Sequence, residues 1–110
     1  MLSLHQGDIV FAYFPYEEDK TIVKKRPCLV LAVQNEKHRF LAAKITITPL
    51  PQSWAIHLQA GNINLALGNL RAESWINLNR REWLPFQNYI FTIGTVKRNI
   101  LDTIIKHITS

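Results

Sequence analysis

Gly7-Asp8-Ile9-Val10 opens the first predicted strand of this chain, and Lys24-Lys25-Arg26-Pro27-Cys28-Leu29-Val30-Leu31 leads into the second. Pro27 fixes its own φ and disfavours helical backbone at Arg26, so we expect the arginine in extended backbone at the mouth of a rigid strand. A guanidinium held there presents a planar fork of N–H donors that suits a phosphate. The simpler alternative is that Lys24, Lys25 and Arg26 form a solvated run of charge, and these residues alone leave it open.

Strand patterns recur through most of the chain. Residues 8–14 are β-branched and aromatic and predict a strand that ends at Pro15, while residues 15–25 predict an exposed loop that is first acidic and then basic. The apolar run at 27–33 predicts a strand buried on both faces, and a polar turn follows at 35–38. Further strands are expected at 54–58, 74–79 and 89–96, whereas residues 60–72 are expected to be irregular.

Residues 39–48 show the clearest alternation in the chain. One face is apolar and is expected to enter the core: Leu41, Ala43, Ile45 and Ile47. The other face lines up a cation and two hydroxyls: Ala42, Lys44, Thr46 and Thr48. If this strand pairs with 27–33 as an antiparallel hairpin, its far end lies beside the start of that strand. Periodicity and hairpin geometry therefore place Thr46 or Thr48 near Arg26.

Residues 97–108 predict the C-terminal helix, because apolar residues recur there at helical spacing: Ile100, Leu101, Ile104, Ile105 and Ile108. Asp102 and Lys106 have the i, i+4 spacing of an ion pair on the polar face. Strands followed by one packed helix indicate a small barrel of the α+β class.

The composition bounds the class of protein. The chain has 110 residues, 47% of them hydrophobic, and no segment resembles a linker, so we expect one domain over residues 1–110. Its formal charge of +5 hints at a polyanionic partner. The single cysteine, Cys28, lies in an apolar run and is expected to be a small buried hydrophobe. No apolar stretch predicts a membrane span or a signal peptide, so a cytoplasmic protein is expected.

No metal or cofactor site is expected from the sequence. The histidines are scattered without ligand spacing, a second cysteine is lacking, and no glycine-rich phosphate loop occurs. The remaining possibilities are catalysis without a metal or cofactor, and binding alone. His5 and His57 are isolated in sequence, which does not favour a catalytic role for either. Trp54, Trp75 and Trp83 could stack on single-stranded bases, although core or dimer contacts are the commoner use of such side chains.

The run from Gly7 to Val33, GDIVFAYFPYEEDKTIVKKRPCLVLAV, resembles the N-terminal signature of the MazF/PemK (Kid) family, the toxins of type II toxin–antitoxin pairs. Residues 40–46 resemble the family's third strand, which ends in a catalytic threonine, while residues 73–79 and 93–95 match more loosely. The resemblance implies a small, SH3-like, strongly bent antiparallel β-barrel with a packed C-terminal helix. It also implies a homodimer that cleaves single-stranded RNA without a metal and binds an acidic antitoxin.

The resemblance assigns roles to particular residues. Arg26 and Thr46 would be catalytic: the RNA supplies its 2′-hydroxyl as nucleophile, Arg26 neutralises the phosphorane, and Thr46 hydrogen-bonds the same phosphate, so that cleavage leaves a cyclic phosphate. RNA-binding roles are expected for a further set: Lys24, Lys25, Lys44, Thr48, Asn77, Asn79 and Arg80. From the residues alone, ordinary strand filling is the favoured interpretation of Thr46 and Thr48.

Two departures from the family pattern bear on activity. The family's first loop is often glycine-rich, whereas residues 16–23 hold three acidic residues and no glycine. Some members carry an Arg and an Asp where this chain has Asn77 and Asn79, and asparagine cannot act as a general base. A catalytically inactive or gyrase-targeting, binding-only relative with the same barrel is therefore the second hypothesis. A nucleic-acid-binding SH3-like module without toxicity is the third.

Overall fold

The structure is a computed structural model that describes residues 3–59, 63–65 and 73–109. Within them the elements are β1 (Asp8–Pro15), β2 (Val23–Gln34), β3 (Arg39–Thr46), β4 (Ala55–Gln59), β5 (Ile63–Leu65), β6 (Glu73–Pro85), β7 (Tyr89–Val96) and α1 (Arg98–Thr109). Short 3-10 turns cover 35–37 and 86–88. In this described part of the chain, α1 falls short of the length and apolarity that crossing a bilayer requires.

The seven described strands form one antiparallel sheet in the order β4-β6-β3-β2-β1-β7-β5. The chain measures 32 × 31 × 30 Å along its principal axes. Because a flat sheet and one packed layer would be far thinner than wide, these nearly equal extents require a strongly bent sheet. The predicted α+β fold with a bent antiparallel barrel and a C-terminal helix is confirmed, and among the described residues β4 and β5 form the two edges of the sheet without pairing with each other.

Both faces of the bent sheet are covered by apolar side chains. The face under α1 carries the helix-side core: Ile9, Leu29, Leu31, Ala43, Ile45, Leu58, Ile76, Leu78, Ile93, Val96, Leu101 and Ile104. The opposite face carries the second core: Leu4, Val10, Ala12, Phe14, Cys28, Val30, Phe40, Ala42 and Leu84. Two-sided burial of β2 agrees with its predicted continuous apolar run.

The alternation predicted for β3 is confirmed on its apolar face but not at its end. Ala43 and Ile45 enter the helix-side core, and Leu41 packs against it. Ala42 shares the face of Lys44, as predicted, and is buried there in the second core. Ile47 was predicted to be buried, and this was wrong: β3 ends at Thr46, and 55% of Ile47 is exposed.

Gly7 explains why a Gly-Asp pair opens β1. Its φ is +96°, a backbone conformation that residues with a side chain rarely adopt, and a Cβ there would lie 3.2 Å from Leu101 Cδ2. The Gly7 N–H donates to Val30 O at 2.8 Å, and Gly7 O accepts the Val96 N–H at 3.0 Å. Gly7 therefore joins β2 to the end of β7 while α1 packs directly over it.

The C-terminal helix is confirmed with nearly the predicted bounds. Leu101 and Ile104 are buried, and the other members of the stripe pack against the helix-side core: Ile100, Ile105 and Ile108. The predicted partner of Asp102 was wrong, because its carboxylate lies 3.3 Å from Arg98 Nε, one turn earlier, rather than beside Lys106. This places a weak, exposed i, i+4 ion pair at the start of the helix.

Several predicted boundaries shift in the structure. β2 begins at Val23, so Lys24 and Lys25 lie in a strand and not in the predicted loop 15–25. β6 runs to Pro85, well beyond the predicted end at residue 79. In the segment predicted to be irregular, Ile63–Leu65 pairs with β7, and the rest of residues 60–72 lies outside the described residues.

Candidate functional site

Arg26 and Thr46 lie on the same side of the sheet in neighbouring strands. Arg26 pairs with Ala12 of β1, and Cys28 pairs with Lys44 of β3. Extending this antiparallel register by two residues on each strand sets Arg26 opposite Thr46, as hairpin geometry predicts. Directly paired residues share a face, so both side chains lie on the side that carries Ala12 and the second core. Each is partly buried at the point where that core ends.

Lys44 forms a cationic cluster with Arg26 and Arg80, whose charges both act on it. Burial lowers the pKa of Lys44 below its ordinary value, and the positive charges of Arg26 and Arg80 lower it further. Glu17 and Glu18 act in the opposite direction. The charged lysine is therefore in an unfavourable environment that an incoming phosphate would improve, because an opposite charge favours the charged form.

Hydrogen bonds within the site orient its neutral polar groups as donors. Thr46 Oγ1 accepts the backbone N–H of Thr48 at 3.2 Å, which leaves the hydroxyl hydrogen available to donate. Asn77 pairs with Lys44 across β6 and β3, and its Oδ1 accepts the backbone N–H of Asn79 at 3.0 Å. With the amide oxygen occupied, the Asn77 NH₂ group remains as a donor. Donors of this kind suit phosphate oxygens.

A large bulge in β6 separates Asn77 from Arg80. Ala43 pairs with Arg81 but the next residue, Lys44, pairs with Asn77, so three residues, 78–80, are inserted opposite one peptide of β3. Leu78 turns into the helix-side core, whereas Asn79 is exposed. A bulge bends the strand and re-aims its side chains. The sequence carries no signal for it.

The bulge directs Arg80 inward. Its guanidinium lies 5.0 Å from the centre of the Phe14 ring, donates to Pro15 O at 2.6 Å, and pairs with Glu82. Glu82 also lies 3.1 Å from Lys20 Nζ. Arg80 is therefore a buried, fully engaged side chain that ties the end of β1 to β6. It acts on the site through its charge on Lys44.

The acidic loop between β1 and β2 is ordered by its own hydrogen bonds. Asp19 Oδ1 accepts the hydroxyl and the backbone N–H of Thr21, which lowers the pKa of Asp19, and Tyr16 N–H donates to Ile22 O. Lys20 anchors the loop to Glu82. The loop thereby holds Glu17 and Glu18 within electrostatic reach of Lys44.

The structure places the two lysines that precede Arg26 on opposite faces of β2. Lys24 pairs with Phe14 and shares the face of Arg26, while Lys25 pairs with Tyr13 on the opposite face.

Cys28 is buried, and burial raises the pKa of its thiol to about 12, so it is a packing residue and no nucleophile. Across residues 3–59, 63–65 and 73–109, no group of three or more His, Cys, Asp or Glu side chains is placed to hold a metal ion.

A family model of PemK-like, MazF-like toxins of type II toxin–antitoxin systems matches residues 5–110. The chain belongs to this toxin family. The match covers the strand-opening Gly-Asp pair, the Arg26–Pro27 step and α1, so it confirms the resemblance seen in the sequence. A comparison with curated proteins found no match.

Solved structures of similar proteins agree with this toxin fold. An endoribonuclease in complex with its cognate antitoxin, from a mycobacterial species, is 13% identical at a TM-score of 0.74, over 97% of this chain and 92% of that chain. A second mycobacterial endoribonuclease is 12% identical at a TM-score of 0.73, over 99% and 90%. Mycobacterium tuberculosis toxin MazF-mt6 is 17% identical at a TM-score of 0.65, over 90% and 91%. At these identities the likeness concerns the fold.

One prediction for this toxin follows from the electrostatics of Lys44. Lys44→Met should stabilise the fold at neutral pH, because it removes a charge whose pKa is lowered on folding. The unfolded chain, with a lysine pKa of 10.5, then binds more protons than the folded one. The charge of Lys44 lowers the free energy of unfolding by its full amount at pH values below the pKa of Lys44 in the folded protein. This destabilisation disappears as pH rises past 10.5, where the lysine is neutral in both states. Urea unfolding of both proteins should therefore show a stability difference that closes with rising pH.

The matched control for this experiment is Lys24→Met. Lys24 is exposed on the same face, and removing an exposed charge should change the free energy of unfolding by less than about 0.5 kcal/mol. Two results would contradict the unfavourable electrostatic environment of Lys44: a Lys44→Met protein less stable than the wild type at neutral pH, or a stability gain that persists unchanged at high pH.

Proposed function

We propose that this chain is the toxin of a type II toxin–antitoxin pair and that it cleaves single-stranded RNA without a metal, as an mRNA interferase. The observation that carries the proposal is the placement of Arg26, Lys44 and Thr46 on one face of two neighbouring strands. Family membership supports the toxin role. Two of the similar solved structures are endoribonucleases, which supports the reaction.

The chemistry needs few groups from the protein. The 2′-hydroxyl of the RNA gives up its proton to water as its oxygen attacks the adjacent phosphorus. The bond to the 5′-oxygen breaks and that oxygen takes up a proton from water, so the products are a cyclic phosphate and a 5′-hydroxyl end. Negative charge develops on the pentavalent phosphorane, where Arg26 would act as a bidentate clamp and Lys44 would add positive potential. Thr46 would donate its hydroxyl hydrogen to the same phosphate.

The RNA backbone would continue from this phosphate along the same face. Lys24 lies beyond Arg26 on β2, and Asn77 lies across from Lys44 on β6. Thr48 and Asn79 would contribute at the rim, since both are exposed. The burial of Arg80 favours a supporting role through its charge. Lys25 lies on the opposite face, so it would contact RNA only if the RNA backbone passed around the start of β2.

The experiment that tests this function is incubation of the purified protein with long single-stranded RNA in EDTA, followed by mapping of the cuts. Discrete cleavage sites bearing cyclic phosphate ends are expected. The second hypothesis, a binding-only toxin, takes the place of the first if the RNA is retained by the protein but stays intact.

The proposed RNA cleavage would place the protein in the cytoplasm, where its RNA substrates lie.

A homodimer is proposed as the active form, because the family resemblance implies a groove across a two-fold interface. Large apolar side chains that remain exposed in one copy support a self-contact: Tyr13, Ile22, Val23, Ile47 and Trp83. Light scattering at micromolar concentration measures the mass directly, and a monomer there would contradict the dimer.

An acidic antitoxin segment is proposed to occupy the cationic face in the inhibited state. Its support is the formal charge of +5, the exposed Lys24 and Lys25, and the similar endoribonuclease that is described in complex with its cognate antitoxin. Because attraction between exposed charges is screened by salt, the association rate with the acidic protein encoded beside this chain should fall as ionic strength rises. An association rate that is indifferent to salt would rule out this electrostatic account.

A further inference from the structure

Two aromatic rings stand side by side next to the site. In the sheet register Thr46 pairs with Trp75 of β6, and Trp75 pairs with His57 of β4. The rings of His57 and Trp75 are stacked, with centroids 4.5 Å apart and planes inclined by 6°. Their neighbours in sequence, Ile56 and Ile76, pack on the opposite face with the helix-side core. The stacked pair therefore shares the face of Thr46.

The spacing of the rings gives their orientation. Neighbouring strands lie about 4.8 Å apart, close to the separation of the two ring centroids. Parallel rings at that spacing stand upright on the sheet, each facing along the direction from strand to strand. One face of the Trp75 indole is covered by His57, so its other face points toward β3 and Thr46. Both rings are only partly buried.

Thr46 lies between Trp75 on β6 and, in the extended register, Arg26 on β2. On one side is the face of the Trp75 indole that His57 does not cover, and on the other side is the strand that carries Arg26. Thr46 is a short side chain between these two larger ones and is only partly buried. A flat aromatic group resting on the indole would therefore lie about one strand spacing from β2.

We propose that Trp75 is a base-stacking subsite for single-stranded RNA, which holds the nucleobase next to the phosphate bound by Arg26 and Thr46. This inference rests on the proposed function and adds a recognition element to it. Stacking on an aromatic ring accepts any base and is worth about tenfold to a hundredfold in affinity. The subsite would hold the nucleotide in register, while Arg26 and Lys44 supply the charge.

His57 acts as a positioning residue for the indole. Its Nε2 is buried, has no hydrogen-bond partner among the described residues, and lies 3.7 Å from Glu73 Oε2, too far for a hydrogen bond. The ring is therefore held chiefly by its stacking on Trp75 and by its place on β4. In return it keeps the indole upright and limits its rotation.

The test separates binding from cleavage. The probes are a mixed-sequence oligonucleotide with 2′-O-methyl ribose throughout, which lacks the nucleophile, and an abasic oligonucleotide of equal length. Affinities are measured for the wild type, Trp75→Ala, Trp75→Phe, His57→Ala and the double variant His57→Ala/Trp75→Ala. Trp75→Phe is the matched control, because it keeps an aromatic ring at the same position of β6. Thermal unfolding checks that each variant is folded.

The expected result is a loss of about tenfold or more for Trp75→Ala on the base-bearing oligonucleotide and no loss on the abasic one. The slope of affinity against salt should stay unchanged, because no phosphate contact is removed. Trp75→Phe should retain most of the affinity. His57→Ala should weaken binding less, and should add nothing to Trp75→Ala, since the two rings act as one unit.

Equal losses of Trp75→Ala on both oligonucleotides, or no loss on either, would overturn the subsite. A wild type that binds the two oligonucleotides equally well would do the same. Failure of the proposed function has a different signature: long RNA then remains uncut by the wild type in EDTA, whatever Trp75 contributes to binding.

Discussion

Arg26→Ala is expected to lose RNA cleavage by at least about two to three powers of ten, the usual cost of removing one preorganised charge from the site of a transition state. The reason lies in the position of Arg26. Its backbone is fixed by Pro27 and by pairing with Ala12, so only the side chain remains to be ordered when the guanidinium binds the phosphorane. Lys44 cannot replace it, because an ammonium is a point charge without a bidentate fork. Cleavage of long single-stranded RNA in EDTA, followed over time, is the measurement.

Three variants give this result its meaning. Arg26→Lys should fail nearly as badly, which shows that the fork and not only the charge is needed. Thr46→Val should lose about tenfold, since one hydrogen bond is removed without any loss of charge. Lys106→Ala removes an exposed cation from α1 and should cut at the rate of the wild type. Cleavage by Arg26→Ala at the rate of Lys106→Ala would end the enzymatic proposal.

Ile104→Asp is expected to destabilise the fold by about 3–5 kcal/mol, because it places an unpaired charge in the interior. Ile104 has 0% exposure and lies in the helix-side core with Leu101. The described residues that form this core are all apolar, so none of them could pair with the aspartate. The aspartate would therefore remain an unpaired charge or take up a proton. Urea unfolding at neutral pH measures the loss, and its pH dependence should show stability partly recovering on mild acidification.

Thr103→Asp is the matched control for this substitution. Thr103 is the preceding residue of α1, is exposed, and gains the same charge in the same helix. The change should stay within about 0.5 kcal/mol. If Ile104→Asp unfolds at the same urea concentration as Thr103→Asp, α1 is not packed on the sheet through this stripe.

Local patterns in the sequence predicted most of the elements. β1, β7 and α1 were predicted almost to the residue, because each is bounded by a proline, a turn or a helical stripe that acts locally. The bounds of β2 and β6 were predicted too short. Lys24 and Lys25 are polar and look like a loop, yet their backbones pair with β1, and pairing is a property of two strands that one strand's composition does not carry.

For the site, local sequence patterns were enough to predict the pair of strands and the alternation that bring Thr46 to the face of Arg26, since a strand's two-residue period and a short hairpin leave little freedom. The surroundings of that pair depend on contacts between distant parts of the chain. The bulge at 78–80 turned Arg80 inward to Glu82, and the pairing of β4 with β6 set His57 against Trp75. These contacts join residues distant in sequence through strand registers and one irregular backbone segment. Their energies depend on how the whole sheet bends, which no local pattern records.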